Sequence, residues 1–229
     1  MKIEDHVFIN GYKHVLYQPE RIQPKTSVER STTFYNWLDG RRSVREYSSE
    51  PVPKAVIENI LMAASTAPSG AHKQPWTFCA VSNPDLKHQI RLDAEAEERE
   101  TYANRMSDRW KKDLGPLGTD ANKPFIDEAP WVIVGFKRVY EHEGDQRHNN
   151  YYVNESMGIA SGMLITAIHN AGLVTLTHTP SPMNFLTKLL DRPSNERAYL
   201  LLPVGYPKNP VYVPDIHRKS LEEVVVFYE

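Results

Sequence analysis

Four short stretches carry the side chains best suited to chemistry. "RRSVREY" (41–47) sets Arg41, Arg42 and Arg45 within five residues, with Ser43 between them. Guanidinium forks beside a hydroxyl are the donors a phosphate monoester accepts. "HRKS" (217–220) adds Arg218 and Lys219. Either cluster is also the composition of a solvated basic face. In "APSGAHKQPW" (67–76) a Pro-Ser-Gly turn lies between an amphipathic helix and an aromatic strand. A glycine there lets the backbone close on a flat ligand, and a fixed N–H beside it can hold an oxyanion. In "AEAEERETY" (94–102) Glu98 and Tyr102 stand four apart, on one helix face, and Lys123 follows beyond the flexible-looking "GPLGTDAN". Without further context this trio also reads as a solvated acidic helix beside a surface lysine.

Many other chemistries lack their signatures. The chain has no G-x-G-x-x-G after a strand, no G-x-x-x-x-G-K-[ST], no H-E-x-x-H and no G-x-S-x-G. Its nine histidines are scattered without metal-ligand spacing, so no metal is expected. One cysteine, Cys79, excludes an intrachain disulfide and suits a reducing compartment. Asn154-Glu155-Ser156 is a glycosylation sequon in form only, since it falls at a helix start. With 27 basic and 29 acidic side chains, no net field favours nucleic acid or an anionic membrane. The first thirty residues lack an apolar signal core, and no apolar run approaches the roughly 20 residues a membrane helix needs. The expectation is a soluble, cytoplasmic protein.

The elements that must position these residues follow from periodicity. Residues 1–27 read as an extended arm and 28–229 as one domain. A helix is expected over about 28–40, ended by Gly40, and another opens at Pro53, with Val52, Val56, Ile57, Ile60, Leu61 and Ala64 on one face. Strands are expected at 74–82, 130–137, 173–177 and 198–207, and charged helix over 84–112. Asn154 is expected to cap a helix running through Ala171, with Gly172 as its stop. That helix is apolar or small nearly all round, so it is either the central core helix or a dimer seam. The tail beyond Val211 reads as extended. Strands separated by helices of unequal length point to an α+β fold rather than a doubly wound sheet.

In order and spacing, "RRSVREY", "APSGAHKQPW", "NAGLVTLTHTP", "LLLPVGYP" and "VPDIHRK" resemble the FMN-dependent nitroreductase superfamily. "TAPSGAHKQPW" together with "RMSDRWKKDL" narrows the resemblance to its iodotyrosine deiodinase branch, over some 200 residues. The resemblance implies a mixed or antiparallel sheet flanked by helices, and an intertwined homodimer with FMN sites built from both chains. It implies that Pro68, Ser69 and Gly70 lie against FMN, with the Ala71 N–H aimed at the substrate phenolate. Arg41, Arg42, Ser43, Arg45 and Arg218 would hold the ribityl phosphate and polar ring edge. Thr177, His178 and Thr179 would run beside the isoalloxazine, with the Thr179 hydroxyl donating to flavin N5 and favouring single-electron transfer. His178 departs from the threonine-rich run of animal members.

Glu98, Tyr102 and Lys123 would grip the zwitterion of a free amino acid, the segment 95–125 closing over it as a lid. The expected activity is reductive dehalogenation of a halotyrosine, 3-iodotyrosine to tyrosine and iodide, with NAD(P)H or a reductase as electron donor. The alternatives are a general nitroreductase or quinone reductase, and a flavin-binding protein without turnover.

Overall fold

A computed structural model describes residues 5–229. Its centre is a four-stranded antiparallel sheet of β3 (Trp76–Val81), β4 (Trp131–Arg138), β8 (Glu196–Gly205) and β7 (Val174–Thr175), in that order across the sheet. Strand β4 is buried on both faces, so it reads as a continuous apolar run and its pleat sorts two cores. Val132, Val134 and Phe136 face one side, with Ile90 and Ala94 of α3 (Pro84–Glu100), Phe125 and Ile126 of α5 (Phe125–Glu128), and Leu186 of α7 (Asn184–Leu189). Ile133 faces the other, with Ile57, Ile60 and Ala64 of α2 (Lys54–Ser65) and Leu164 and Ile168 of α6 (Val153–Asn170). The result is a three-layer α+β arrangement, with the charged helix α3 on one face and the two apolar helices on the other.

The chain divides into an N-terminal unit ending at Arg41 and a main unit, Arg42–Glu229. Part of the segment expected to be extended is a hairpin, β1 (His6–Ile9) with β2 (Tyr12–Val15), and residues 1–4 of that segment lie outside the described residues. Asn10 and Gly11 turn it at φ 49° and 83°, the double positive-φ pair that an Asn-Gly sequence favours. Helix α1 (Pro24–Asp39) starts four residues earlier than expected because Pro24 suits a first helical turn, and none of its residues is buried.

In the main unit the charged helical region is not continuous. Helix α3 passes into a π turn at Thr101–Arg105, Met106 is extended, and Ser107 caps α4 (Asp108–Leu114) through the Trp110 N–H. Asn154 is not the cap of α6. The helix opens two residues earlier, after Tyr152 at φ 48°, and Asn154 instead accepts from Lys137 Nζ at 2.8 Å. Helix α6 buries one face, Met157, Ala160, Leu164 and Ile168, and exposes Ile159 on another. The strand expected over 173–177 is two residues long, continued by an isolated bridge at His178. A second hairpin, β5 (Tyr140–Glu143) with β6 (Gln146–Asn149), turns at Gly144–Asp145. The tail carries only the one-turn α8 (Leu221–Val224). Among the described residues no helix is long and apolar enough to cross a membrane.

Candidate active site

Helix α3 opens on Pro84 with Asn83 capping the Leu86 N–H, and its last two turns carry Glu95 and Glu98. The π turn that follows adds a residue to the helical repeat and re-aims Tyr102, the kind of irregularity often found beside functional groups. Lys123 comes from the loop ahead of α5 and meets Glu98 at 3.5 Å, its side chain only 3% exposed. Its ammonium also donates to Thr119 Oγ1 at 3.3 Å and to the Asp120 carbonyl. Tyr102 donates its hydroxyl to the Thr119 carbonyl at 3.2 Å, and the Lys123 ammonium lies 5.9 Å from its ring centre. Burial pushes the Lys123 pKa down and the Glu98 pKa up, each opposed by the charge of the other.

Behind this trio lies His178. Its backbone exchanges two 2.9 Å hydrogen bonds with Leu201, which anchors the segment after β7 to the sheet. Alternation along the extended chain exposes Thr177 and Thr179 and turns His178 inward. Its ring packs edge-on to Phe125 at 5.7 Å, with Nδ1 4.0 Å from Glu98 Oε1 and Nε2 buried without a partner. Burial first, then the Lys123 and Arg45 charges, lower its pKa to about 3, so the ring is neutral.

Arg45 belongs to the same cluster. It is half-buried, its Nε has no hydrogen-bond partner, and burial lowers its pKa. Its segment is stitched to the sheet edge: Ser43 bridges Thr175, the Val44 N–H donates to the Thr175 carbonyl at 3.2 Å, and the buried Tyr47 hydroxyl donates to the carbonyl of Val44. Arg42 donates to the Pro214 carbonyl, four residues before the exposed Arg218. Arg41 closes the N-terminal unit.

The turn at 68–71 is built separately. Ala71, His72 and Gln74 take φ of 49°, 55° and 47°, a left-handed run held by Ser69 Oγ, which accepts the Gln74 N–H at 2.8 Å. The Gly70 N–H donates to Ser156 Oγ at 3.3 Å, and a Cβ on Gly70 would stand 2.9 Å from the Tyr151 carbonyl oxygen. The close approach that demands glycine is therefore to the chain's own backbone. Pro68 and Ala71 are exposed beside this turn. Among the described residues, no hydrogen bond of Ser69, Gly70 or Gln74 reaches the Glu98–Lys123 cluster.

The structure thus brings Arg45, Glu98, Tyr102, Lys123 and His178 together, and among the described residues Pro68–Ala71 share no hydrogen bond with them. Sequence reasoning passed over Glu95 and Thr119, which fix Lys123 and Tyr102. Glu95 differs in nothing visible from Glu97, Glu98 or Glu100 along the sequence, and only its 6% exposure singles it out.

This arrangement, a helix-flanked antiparallel sheet with a basic edge segment beside a buried carboxylate–lysine pair, is that of a known class. Residues 38–206 match the nitroreductase family, and the chain belongs to it. Within it the chain is similar to iodotyrosine deiodinases. It is 55% identical over 214 residues to that of Haliscomenobacter hydrossis, covering 93% of this chain and 96% of the relative. It is 48% identical to that of Daphnia pulex, covering 94% and 72%, and 45% identical to human iodotyrosine deiodinase 1, covering 93% and 75%. A crystal structure of oxidized iodotyrosine deiodinase bound to FMN and 3-iodo-L-tyrosine superposes with a TM-score of 0.74 at 32% identity, over 86% of this chain and 98% of that one. An FMN-bound nitroreductase from Bacteroides fragilis, 19% identical with a TM-score of 0.63, shares the fold.

Proposed function

We propose that this chain is an FMN-dependent reductive dehalogenase of halogenated tyrosines. The observation that carries the reading is the meeting of Glu98, Tyr102 and Lys123 in one buried cluster. An α-amino acid presents an ammonium and a carboxylate a few ångströms apart, and a carboxylate, a phenol and a lysine are the complementary set. A zwitterion entering between Glu98 and Lys123 exchanges one ion pair for two.

The residues suit FMN. The Arg45 guanidinium is half-buried with an orphaned Nε, Thr177 and Thr179 present exposed hydroxyls at the sheet edge, and Arg42 stands by the tail that carries Arg218. Arg41, Arg42, Ser43, Arg45 and Arg218 would hold its phosphate and polar ring edge, with Thr177, His178 and Thr179 alongside. We assign Thr179 as the hydroxyl donor that favours single-electron transfer. FMN, when bound, supplies the two electrons of the reaction: Ar–I + 2 e⁻ + H⁺ → Ar–H + I⁻.

The chain's own residues place the substrate. Glu98 takes its ammonium, Lys123 its carboxylate and Tyr102 the edge of the amino-acid end, so that the halogen-bearing carbon is oriented. The Ala71 N–H is the donor for the phenolate oxygen, which makes the ring easier to hold as an anion.

Pro68, Ser69, Gly70 and Ala71 would complete the site from a second copy of the chain. Two observations support that division. Among the described residues no hydrogen bond of the turn reaches the Glu98–Lys123 cluster, and Ile159 of α6 and the tail residues Val224, Val226 and Phe227 leave apolar surface uncovered in the main unit. The lone cysteine suits a cytoplasmic setting, and NAD(P)H or a reductase would return the electrons.

The test is a titration of the FMN-loaded protein with 3-iodo-L-tyrosine, read by flavin fluorescence, for the wild type and Lys123→Ala. Strong quenching that Lys123→Ala abolishes, with reduction of a small nitroaromatic retained, supports the reading. Loss of both together overturns the role given to Glu98, Tyr102 and Lys123, and no quenching by iodotyrosine beside quenching by the nitroaromatic turns the assignment to a general nitroreductase.

A further inference from the structure

We propose that Glu95 is a positioning residue that sets Lys123 in register with Glu98, and thereby tunes the site to a zwitterion. This rests on the halotyrosine reading above. A single oxygen, Glu95 Oε1, accepts both the Lys123 backbone N–H and Arg91 Nε, each at 2.7 Å. The carboxylate is 6% exposed, with Arg99 Nη1 3.7 Å from its other oxygen. Burial alone would raise its pKa, but the Lys123 N–H and Arg91 hold it below the usual carboxylate range. A buried carboxylate accepting a main-chain N–H is a charge-assisted bond, short and directional.

The contact is one end of a longer clamp. Arg91 Nη1 reaches Asp127 Oδ2 at 2.9 Å, and His88 Nδ1 reaches the same oxygen at 3.1 Å. Lys87 Nζ donates to the carbonyls of Asp127 and Ala129 at 3.0 and 2.6 Å. Residues 87, 88, 91 and 95 form one edge of α3, so this edge grips the chain from Lys123 to Ala129. Glu98 is the next turn of the same helix. The Lys123 backbone is thereby tied to the element that carries its counter-charge, and the spacing of the two charges is set by helix geometry rather than by the loop that precedes Lys123.

A pair so registered discriminates by charge spacing, so its loss is felt by ligands that carry both charges. The experiment compares FMN-loaded wild type, Glu95→Ala, Glu95→Gln, Lys123→Ala and the double variant Glu95→Ala/Lys123→Ala. Each is titrated with 3-iodo-L-tyrosine and with 2-iodophenol, which lacks the zwitterion. Glu95→Ala is expected to weaken iodotyrosine binding by about tenfold or more and to leave 2-iodophenol unchanged. Glu95→Gln, which keeps an oxygen for the same two donors, retains most of the affinity. On the Lys123→Ala background the Glu95 substitution adds nothing.

Hydrogen exchange at the Lys123 amide accelerates in Glu95→Ala. Should that variant fail to fold, Glu95→Asp, which keeps the charge but draws the acceptor back by one methylene, takes its place. Equal weakening for both ligands, full additivity with Lys123→Ala, or unchanged iodotyrosine affinity overturns the proposal. Unchanged iodotyrosine binding in Lys123→Ala itself would instead sink the reading beneath it, while amide exchange separately decides whether Glu95 pins the loop.

Discussion

Lys123 and Glu98 are 3.5 Å apart, and the lysine side chain is 3% exposed, so a loop cation finds its counter-ion on a helix inside the protein. Neither charge is tolerable there alone, because a buried ion without its partner forfeits the attraction that offsets its desolvation. Replacing Glu98 by Gln is therefore expected to act twice. It removes the acceptor assigned to the substrate ammonium, weakening 3-iodotyrosine by tenfold or more, and it destabilises the fold by about 1–3 kcal/mol. Fluorescence titration reads the first effect and urea unfolding the second. An unchanged titration would remove Glu98 from the site.

His178 gives the fold an acid limb. Its folded pKa is depressed to about 3, whereas the unfolded chain titrates near the ordinary value of about 6.5. Between those values the unfolded state binds a proton that the native state does not, so stability falls as pH drops through the window and is regained above it. The slope from this group is at most about 1.4 kcal/mol per pH unit. His178→Gln is expected to flatten the dependence of chemical unfolding between pH 6 and 4. A wild-type curve that is already flat there would contradict a neutral buried ring.

Glu196 ties three parts of the main unit together. Itself 2% exposed, it accepts from Arg192 Nε at 2.7 Å and from the Thr77 hydroxyl of β3, and Arg138 Nε of β4 lies 3.8 Å away. Glu196→Ala removes the shared acceptor of the Thr77 hydroxyl and two partly exposed guanidinium groups and is expected to cost about 2–3 kcal/mol. A thermal melt reads it, with Thr77→Val, which removes only one donor, expected to cost about 1–2 kcal/mol.

Gly70→Ala places a methyl 2.9 Å from the Tyr151 carbonyl oxygen. That neighbour is backbone and cannot rotate away, so the turn or the Tyr151–Tyr152 segment must shift, at about 1–3 kcal/mol. FMN occupancy of the purified protein is expected to fall with it, since the displaced turn carries Ser69 and Ala71. Full occupancy would separate the turn from the cofactor site.

Much of this molecule is legible along the chain. Apolar runs bounded by Pro and Gly located β3, β4 and β8, because a strand buried on both faces needs little beyond hydrophobicity and β-branching. The Asn10-Gly11 hairpin carried its signal too, in a dipeptide whose backbone preference is local. Glu98, Tyr102 and Lys123 were picked out by charge type and by resemblance to family motifs. What could not be read is whatever depends on residues far apart in sequence. Tyr102 of the π turn after Glu100 meets Thr119, seventeen residues on, and Asn154 meets Lys137 of β4 instead of capping α6.

Local chemistry thus determined the kind of elements, the α+β class and the residue types a zwitterion and a flavin phosphate would need. Only the tertiary structure decided that His178 turns inward beneath Glu98, that Glu95 rather than a neighbouring glutamate holds Lys123, and that the Ser69–Ala71 turn bonds to Ser156 of α6. The reason is physical. Burial and charge pairing are properties of three-dimensional neighbours, and four glutamates alike in sequence become unlike once one of them is enclosed.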